Sequence, residues 1–508
     1  MPTFNDSRIR HANSREPNAA GDYILHWMQA YRRFDRNHAL DHALQWSQLL
    51  KKPVVVYEGL RLDYPWASAR LHRFMIDGMA DNAAQARKRG INYWPFVETP
   101  DQPARGLLRR LSERACLIVT DDYPAFIVPG QIASLAAKIE VPLIAVDGNG
   151  IVPLKLYGAE VSACAHLRHR VHRLFAAAWQ NRASTEPFAE RVHRTPIEPP
   201  FRTFDAKCDI NAFVASLPVD QSVRPIAGMH GGSKAGRDML QSFVADKLSR
   251  YGEERNQPDD PERNAASGLS PYLRHGHVSI QEIAENVLDS RGPWGIEQIN
   301  EACRGKREGF FGDDANINGF LDEAICWRDV GYHWHKCRIA DSRLRISDWG
   351  TPSFRDLDLA LPMWAKATLK KHATDRRDHL YSLEQWEAAA THDPLWNAAQ
   401  TELVKTGRIH NYLRMLWGKK VLEWSASPQE AFYILEHLNN KYALDGRDPN
   451  SYTGILWCFG LFDRPWPPER QVFGSVRFMS SANTAKKYKL GGYYEYIATL
   501  TRPSLFRD

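Results

Sequence analysis

Along the first 150 residues, short apolar runs alternate with longer stretches in which apolar positions recur every three or four residues. The runs Tyr23–Met28, Val54–Tyr57, Ile91–Val97, Leu117–Thr120 and Leu143–Val146 have the length of strands and no alternating polar face. Such runs predict strands buried on both sides. The helical patterns between them supply the crossovers of a Rossmann-like parallel α/β sheet, with helices on both faces. A dinucleotide fold would place phosphate-binding glycines after the first strand, yet the chain reads QAYRRFDRNHAL there, without GxGxxG. Asp121, Asp122 and Asp147 close two of the strands, where open α/β sheets bind ligands and where acids also cap helices.

The pattern changes after residue 182. Between 183 and 230 stand Pro187, Pro196, Pro199, Pro200, Pro218 and Pro225 with little periodicity, which reads as an extended connection. From Gly232 onward the signals are almost all helical, among them SKAGRDMLQSFVADKLSRY, SIQEIAENVLDS, NGFLDEAICWRDVGYHW, SLEQWEAAA and HNYLRMLWGKKVLEW. The expected organisation is a polar extension over 1–20, an α/β domain over 21–182, a connection over 183–230 and an all-α domain over 231–508.

Composition fits this picture. A chain of 508 residues, 43% hydrophobic and 25% charged, is long enough for two or three full cores. It holds no run of about 18 uncharged apolar residues, and its first twenty residues lack the apolar centre of a secretory signal, so a cytoplasmic protein is expected, away from membranes. The seven cysteines form no CxxC pair, and His333 and His335 in HWH have no third ligand at suitable spacing, so no metal site is expected. GGSKAG at 231–236 misses the phosphate-loop spacing and reads as a helix start. The net charge of +6 is mild, but the segment after Asp463 carries eight Lys/Arg against three acids, a surface that suits phosphate backbones or simply a solvated face.

Sixteen tryptophans, eleven of them after residue 290, are the unusual feature. Trp417 and Trp424, seven residues apart, fall on nearly one face of a predicted helix with about 10 Å of rise between them. Two such indoles are either core filler or successive stations for an oxidisable relay. Arg414 on the same helix would need an anion if buried.

On four stretches the chain resembles the photolyase/cryptochrome family, and within it the class II cyclobutane pyrimidine dimer photolyases. These are GDYILHWMQAYRRFDRNHAL (21–40), SGLSPYLRHGHVS (267–279), THDPLWNAAQ (391–400) and LNNKYALDGRDPNSYTGILW (438–457). The resemblance implies an N-terminal antenna domain and a helical domain binding FAD, with the fully reduced anionic flavin as its working form. It implies flavin-phosphate contacts at Tyr251, Ser267, Gly268, Leu269 and Ser270, and an Arg414–Asp445 ion pair beside the flavin ring. Asn439 would face the flavin N5, and Trp396, Trp417 and Trp424 would bring electrons to the flavin. Glu323, Trp327, Tyr412, Met415 and Trp457 match lesion-contacting positions, and Arg464 and Arg477 match positions near the DNA bubble. The implied partner is DNA with a flipped-out pyrimidine dimer, met by a monomer, and the antenna pigment the family suggests is a deazaflavin.

Two segments depart from the class II pattern. RDVGYHWHKC (328–337) replaces an arginine-rich run containing DNF, and the 457–463 and 466–470 stretches differ by one residue each in length. A cryptochrome-like light sensor without repair activity and a (6-4) photolyase are the competing readings. The absence of a long C-terminal extension argues against the first and the class II motifs against the second, while an NAD(P)H-dependent flavoprotein is weakened by the missing fingerprint.

Overall fold

The five apolar runs become five parallel strands of one sheet in the computed structural model, which describes residues 5–189, 193–258, 264–339 and 356–502. The strands are β1 (Ile9–His11), β2 (Tyr23–Met28), β3 (Val54–Leu60), β4 (Asn92–Val97), β5 (Ala115–Asp121) and β6 (Leu143–Val146), in the spatial order β1-β6-β5-β2-β3-β4. Every residue of β2, β5 and β6 is buried, as strands covered by helices on both faces require.

Two sequence expectations needed more than apolar runs. β3 continues three residues past Tyr57 because Glu58 is neutralised inside the fold. Its carboxylate accepts from Arg32 at 2.9 Å, Asn82 at 3.0 Å and Tyr93 Oη at 2.6 Å. The polar segment over 1–20 is not only an extension, since it supplies β1, an antiparallel edge strand in register Ile9↔Val146. Arg8, buried, anchors this strand through the carbonyls of Asp147 and Ile151.

The acids at the strand ends are structural. Asp121 Oδ2 accepts the backbone N–H groups of Gln29, Ala30 and Tyr31 at 2.7–2.9 Å, and Asp147 caps the loop through Asn149 and Leu154. These bonds fix the turn that leaves β2.

The proline-rich connection lies along the free edge of β4. Phe204 N–H donates to the Pro95 carbonyl at 2.8 Å, Trp94 Nε1–H to the Ile197 carbonyl at 3.2 Å, and Phe201 packs among Tyr57, Trp94 and Phe96. An edge covered in this way cannot pair with another chain.

All named elements after residue 182 are helical. The helical domain is locked to the sheet domain by buried polar pairs. Arg237 bridges Asp35 at 2.7 Å and Glu282 at 2.6 Å, and the hydroxyls of Tyr123 and Tyr332 both donate to Asp448 Oδ2 at 2.8 Å. Among the described residues no helix is long and apolar enough to cross a membrane.

His277 gives this interface a pH dependence. Fully buried against Phe74, it accepts Gly232 N–H at Nδ1 over 3.0 Å, and burial, with Arg32 and Arg33 nearby, pushes its pKa down to about 3. The unfolded chain takes up this proton near pH 6.5 and the folded chain does not, so stability is lost as pH falls from 6.5 towards 3. Between pH 7 and 5 the expected loss from this residue is about 2 kcal/mol. Urea unfolding of His277→Asn should show a loss over that interval smaller by this amount. An identical pH slope would refute the assignment.

Candidate functional site

The helix Asn411–Glu423 runs through the centre of the helical domain and carries Tyr412, Arg414, Met415 and Trp417. Its apolar residues are spread around the axis rather than along one stripe, as befits a helix covered on several sides. Even Lys419 and Lys420 are buried.

One part of its surface meets the segment Leu444–Asn450. Arg414 Nη2 lies 3.7 Å from Asp445 Oδ2, so the expected ion pair is present but loose. The Arg414 side chain stays 37% exposed, while Asp445 Oδ1 is buried without a hydrogen-bond partner. Asn439, on the helix Pro428–Tyr442, is buried close by in sequence and donates to Asn440 Oδ1 at 3.3 Å. Asn440 in turn is fixed by the Arg447 backbone N–H at 2.8 Å.

Asn411 Nδ2 reaches Asn256 Oδ1 at 3.2 Å and so ties this helix to the segment bearing Tyr251. Tyr251 is buried, and its hydroxyl accepts from Arg255 Nη1 at 3.0 Å. Leu269 is buried, Ser267 is half-buried and Ser270 is exposed at the start of the helix Ser270–Arg274. Gly268, at φ +69°, takes a left-handed conformation that side chains rarely adopt, and a Cβ there would meet Met239 Sδ at 3.3 Å.

Glu323 and Trp327 lie on a π-helical turn, Asp322–Trp327, an irregularity frequent at functional sites. Asp322 faces inward and pairs with Arg168, its second oxygen 2.9 Å from Nη2. Glu323 remains 39% exposed and pairs with Arg255 at 2.9 Å. Arg255 was not singled out by sequence reasoning, although it stands one helical turn after Tyr251. Trp327 is half-buried with its indole N–H unpartnered.

Trp457 ends the helix Pro449–Trp457, half-buried, with the Lys419 ammonium 4.6 Å from its ring centroid. Lys419 donates to the Cys458 carbonyl at 2.7 Å, and burial pushes its pKa down to about 8. Arg477 is engaged by Asp463 at 2.9 and 3.2 Å and lies 4.0 Å from the Trp466 ring centroid, with Arg464 4.7 Å from the same ring. Tyr412 meets Tyr488 edge to face at 4.7 Å, and Met415 is half-buried. Arg507 and Asp508 of the basic tail lie outside the described residues.

Four tryptophans form a continuous chain of ring contacts, two of them stacked and one edge to face. Trp417 and Trp396 are nearly parallel, with ring centroids 6.4 Å apart, and Trp396 Nε1–H donates to the Trp417 carbonyl at 3.1 Å. Trp424 caps the Asn411–Glu423 helix. It is joined to Trp396 through Trp386, a tryptophan outside the set the family resemblance implies.

This chain is 34% identical over 497 residues to the deoxyribodipyrimidine photo-lyase of Methanothermobacter thermautotrophicus, over 97% of this chain and 98% of that protein. The chain belongs to the deoxyribodipyrimidine photo-lyase family. Photo-lyases of Potorous tridactylus and Oryza sativa are each 31% identical to it, covering 94% and 99% of this chain and 81% and 92% of their own lengths. No family model matches the chain. Among solved structures, a class III photolyase from Agrobacterium tumefaciens superposes with a TM-score of 0.61 at 16% identity, covering 95% of this chain and 90% of that one. The cryptochrome of Synechocystis gives 0.58 at 14%, covering 94% and 88%. These two establish the photolyase/cryptochrome fold, with its α/β and helical domains.

Within that fold the RDVGYHWHKC departure is spent on packing. His333, Trp334 and His335 are all buried on the helix Arg328–Ile339. His333 bonds to the Ala159 carbonyl at 3.1 Å and His335 to the Gly331 carbonyl at 2.9 Å. No group of three metal-ligating residues occurs among the described residues.

Proposed function

We propose that this chain repairs cyclobutane pyrimidine dimers in DNA with blue light, as a class II photolyase that binds FAD. The observation that carries the reading is the convergence on one helix, Asn411–Glu423, of the Arg414–Asp445 pair, the half-buried Tyr412 and Met415, and Trp417. The residues present fit the cofactor. Asp445 Oδ1 is a buried acceptor awaiting a donor, Arg414 is a half-open cation, and beside the left-handed Gly268 the Leu269 N–H meets the Ser267 hydroxyl at 3.4 Å, groups suited to a diphosphate. When bound, the reduced flavin supplies on illumination the electron that splits the dimer, and receives it back. Arg414 and Asp445 would flank the flavin ring, while Asn439, an amide, can hydrogen-bond it but cannot exchange protons with it.

On the lesion side, Trp327 and Trp457 offer half-exposed rings on which a flipped-out dimer can stack. The Arg255–Glu323 pair, 2.9 Å apart, would hold a cation beside a pyrimidine carbonyl as it gains negative charge. Arg464 and Arg477, arrayed over Trp466, suit backbone contact without sequence reading.

Asp445→Ala should weaken FAD binding on the order of tenfold, because the cofactor would then cover an unpaired guanidinium. Flavin titration of the apoprotein measures this, and an unchanged Kd would contradict it. The reading itself is tested by illuminating the reduced, FAD-loaded protein with DNA carrying either lesion. Cyclobutane dimers should disappear and (6-4) photoproducts persist; the reverse would overturn it.

A further inference from the structure

Trp386 lies outside the three tryptophans assigned to electron supply. It sits on the short helix Leu383–Glu387, whose start is fixed by a capping box between Ser382 and Gln385. The side chain is fully buried, and its Nε1–H has no hydrogen-bond partner. Buried indoles usually find an acceptor for that N–H. Trp386 instead packs in the core against three rings, 4.7 Å from Trp396 at 65°, 6.2 Å from Trp424 at 13° and 5.2 Å from Tyr381 at 72°. Among the described residues, the ring contacts leading from Trp396 to Trp424 pass through Trp386.

We propose that Trp386 is a relay station in the supply of electrons to the flavin, so that the path reads Trp424, Trp386, Trp396, Trp417. The proposal rests on the assignment of Trp396, Trp417 and Trp424 to electron supply and adds a fourth indole between two of them. For each photon absorbed with the flavin oxidised, Trp417 gives up one electron to it. Trp396 then refills Trp417, Trp386 refills Trp396 and Trp424 refills Trp386, each step moving one electron and breaking no bond. The remaining hole at Trp424 is filled by one electron from a soluble thiolate, which is left as a thiyl radical.

The surroundings of Trp386 suit transit. An oxidised indole is far more acidic at its N–H than the neutral ring, and loss of that proton would trap the hole. With no acceptor beside Nε1, Trp386 keeps its proton and passes the hole on. Trp396 and Trp417 donate to an amide-type carbonyl at 3.1 and 3.0 Å, weak bases that also leave the proton in place. At the outer end Trp424 is itself buried under the exposed ring of His392, 4.7 Å away, so the thiolate's electron reaches it across that thin cover, and the Lys420 charge over the Trp424 ring is answered by Glu423 at 2.6 Å.

The test compares FAD-loaded Trp386→Phe and Trp386→Tyr with Trp417→Phe, by transient absorption and by photoreduction in the presence of a thiol. Both Trp386 variants should retain rapid quenching of flavin fluorescence by Trp417. They should lose the long-lived indole radical and sustained photoreduction, while repair by chemically pre-reduced enzyme stays at the parent level. Trp417→Phe should lose the quenching as well. If Trp417→Phe is blocked while both Trp386 variants keep the parent's radical lifetime and photoreduction, Trp386 is packing only and the proposal falls. If Trp417→Phe is photoreduced like the parent, the electron-supply assignment itself fails and the proposal with it.

Discussion

Alanine at both Trp327 and Trp457 is expected to weaken binding to dimer-containing DNA on the order of a hundredfold, at about 1–3 kcal/mol per stacked base. Both rings are half-buried, each carried at the end of a helical segment whose neighbouring residues are core. Truncation should therefore leave the fold intact. Undamaged duplex presents no flipped base to stack, so its weaker, charge-driven binding should change little. Competition between a single-dimer oligonucleotide and its undamaged counterpart measures the difference. Equal losses on both DNAs would mean that the rings serve the fold or the backbone and not the lesion.

Glu323→Ala should act on the chemistry more than on binding, lowering dimers repaired per absorbed photon by roughly tenfold. In the structure Glu323 faces Arg255 rather than standing alone, so removing it frees the guanidinium to move. The cation that answers charge developing on the pyrimidine would then be misplaced. The pair is partly exposed, which makes the effect smaller than for a buried oxyanion donor. Glu323→Gln, which keeps the acceptor but not the charge, should fall between. Repair yield and dimer affinity measured on the same variants separate the two effects, and a loss confined to affinity would remove Glu323 from the chemical step.

The sheet was legible because burial on both faces writes its strands as uninterrupted apolar runs. It was illegible where charge is neutralised internally or where backbone alone makes the contact. Glu58 reads as a strand end until Arg32, Asn82 and Tyr93 are seen around it. β1, three residues with a mostly exposed pattern, has nothing in its side chains to announce pairing with β6. In the site, helical spacing put Trp417 and Trp424 on one face, but the contacts between them run through indoles of two other helices. Trp386 could not be found by spacing, since it is ten residues from Trp396 across a helix break. The remaining candidate positions rest on family resemblance alone, because residues as far apart as Tyr251 and Asp445 share no local pattern.

The central claim is tested most directly with the FAD-loaded, reduced protein and a duplex carrying one cyclobutane thymine dimer, in blue light and in the dark. Light alone should remove the dimer and return two intact thymines, with the flavin still reduced at the end. Intact FAD and dimer binding with no loss of the lesion in light would contradict it.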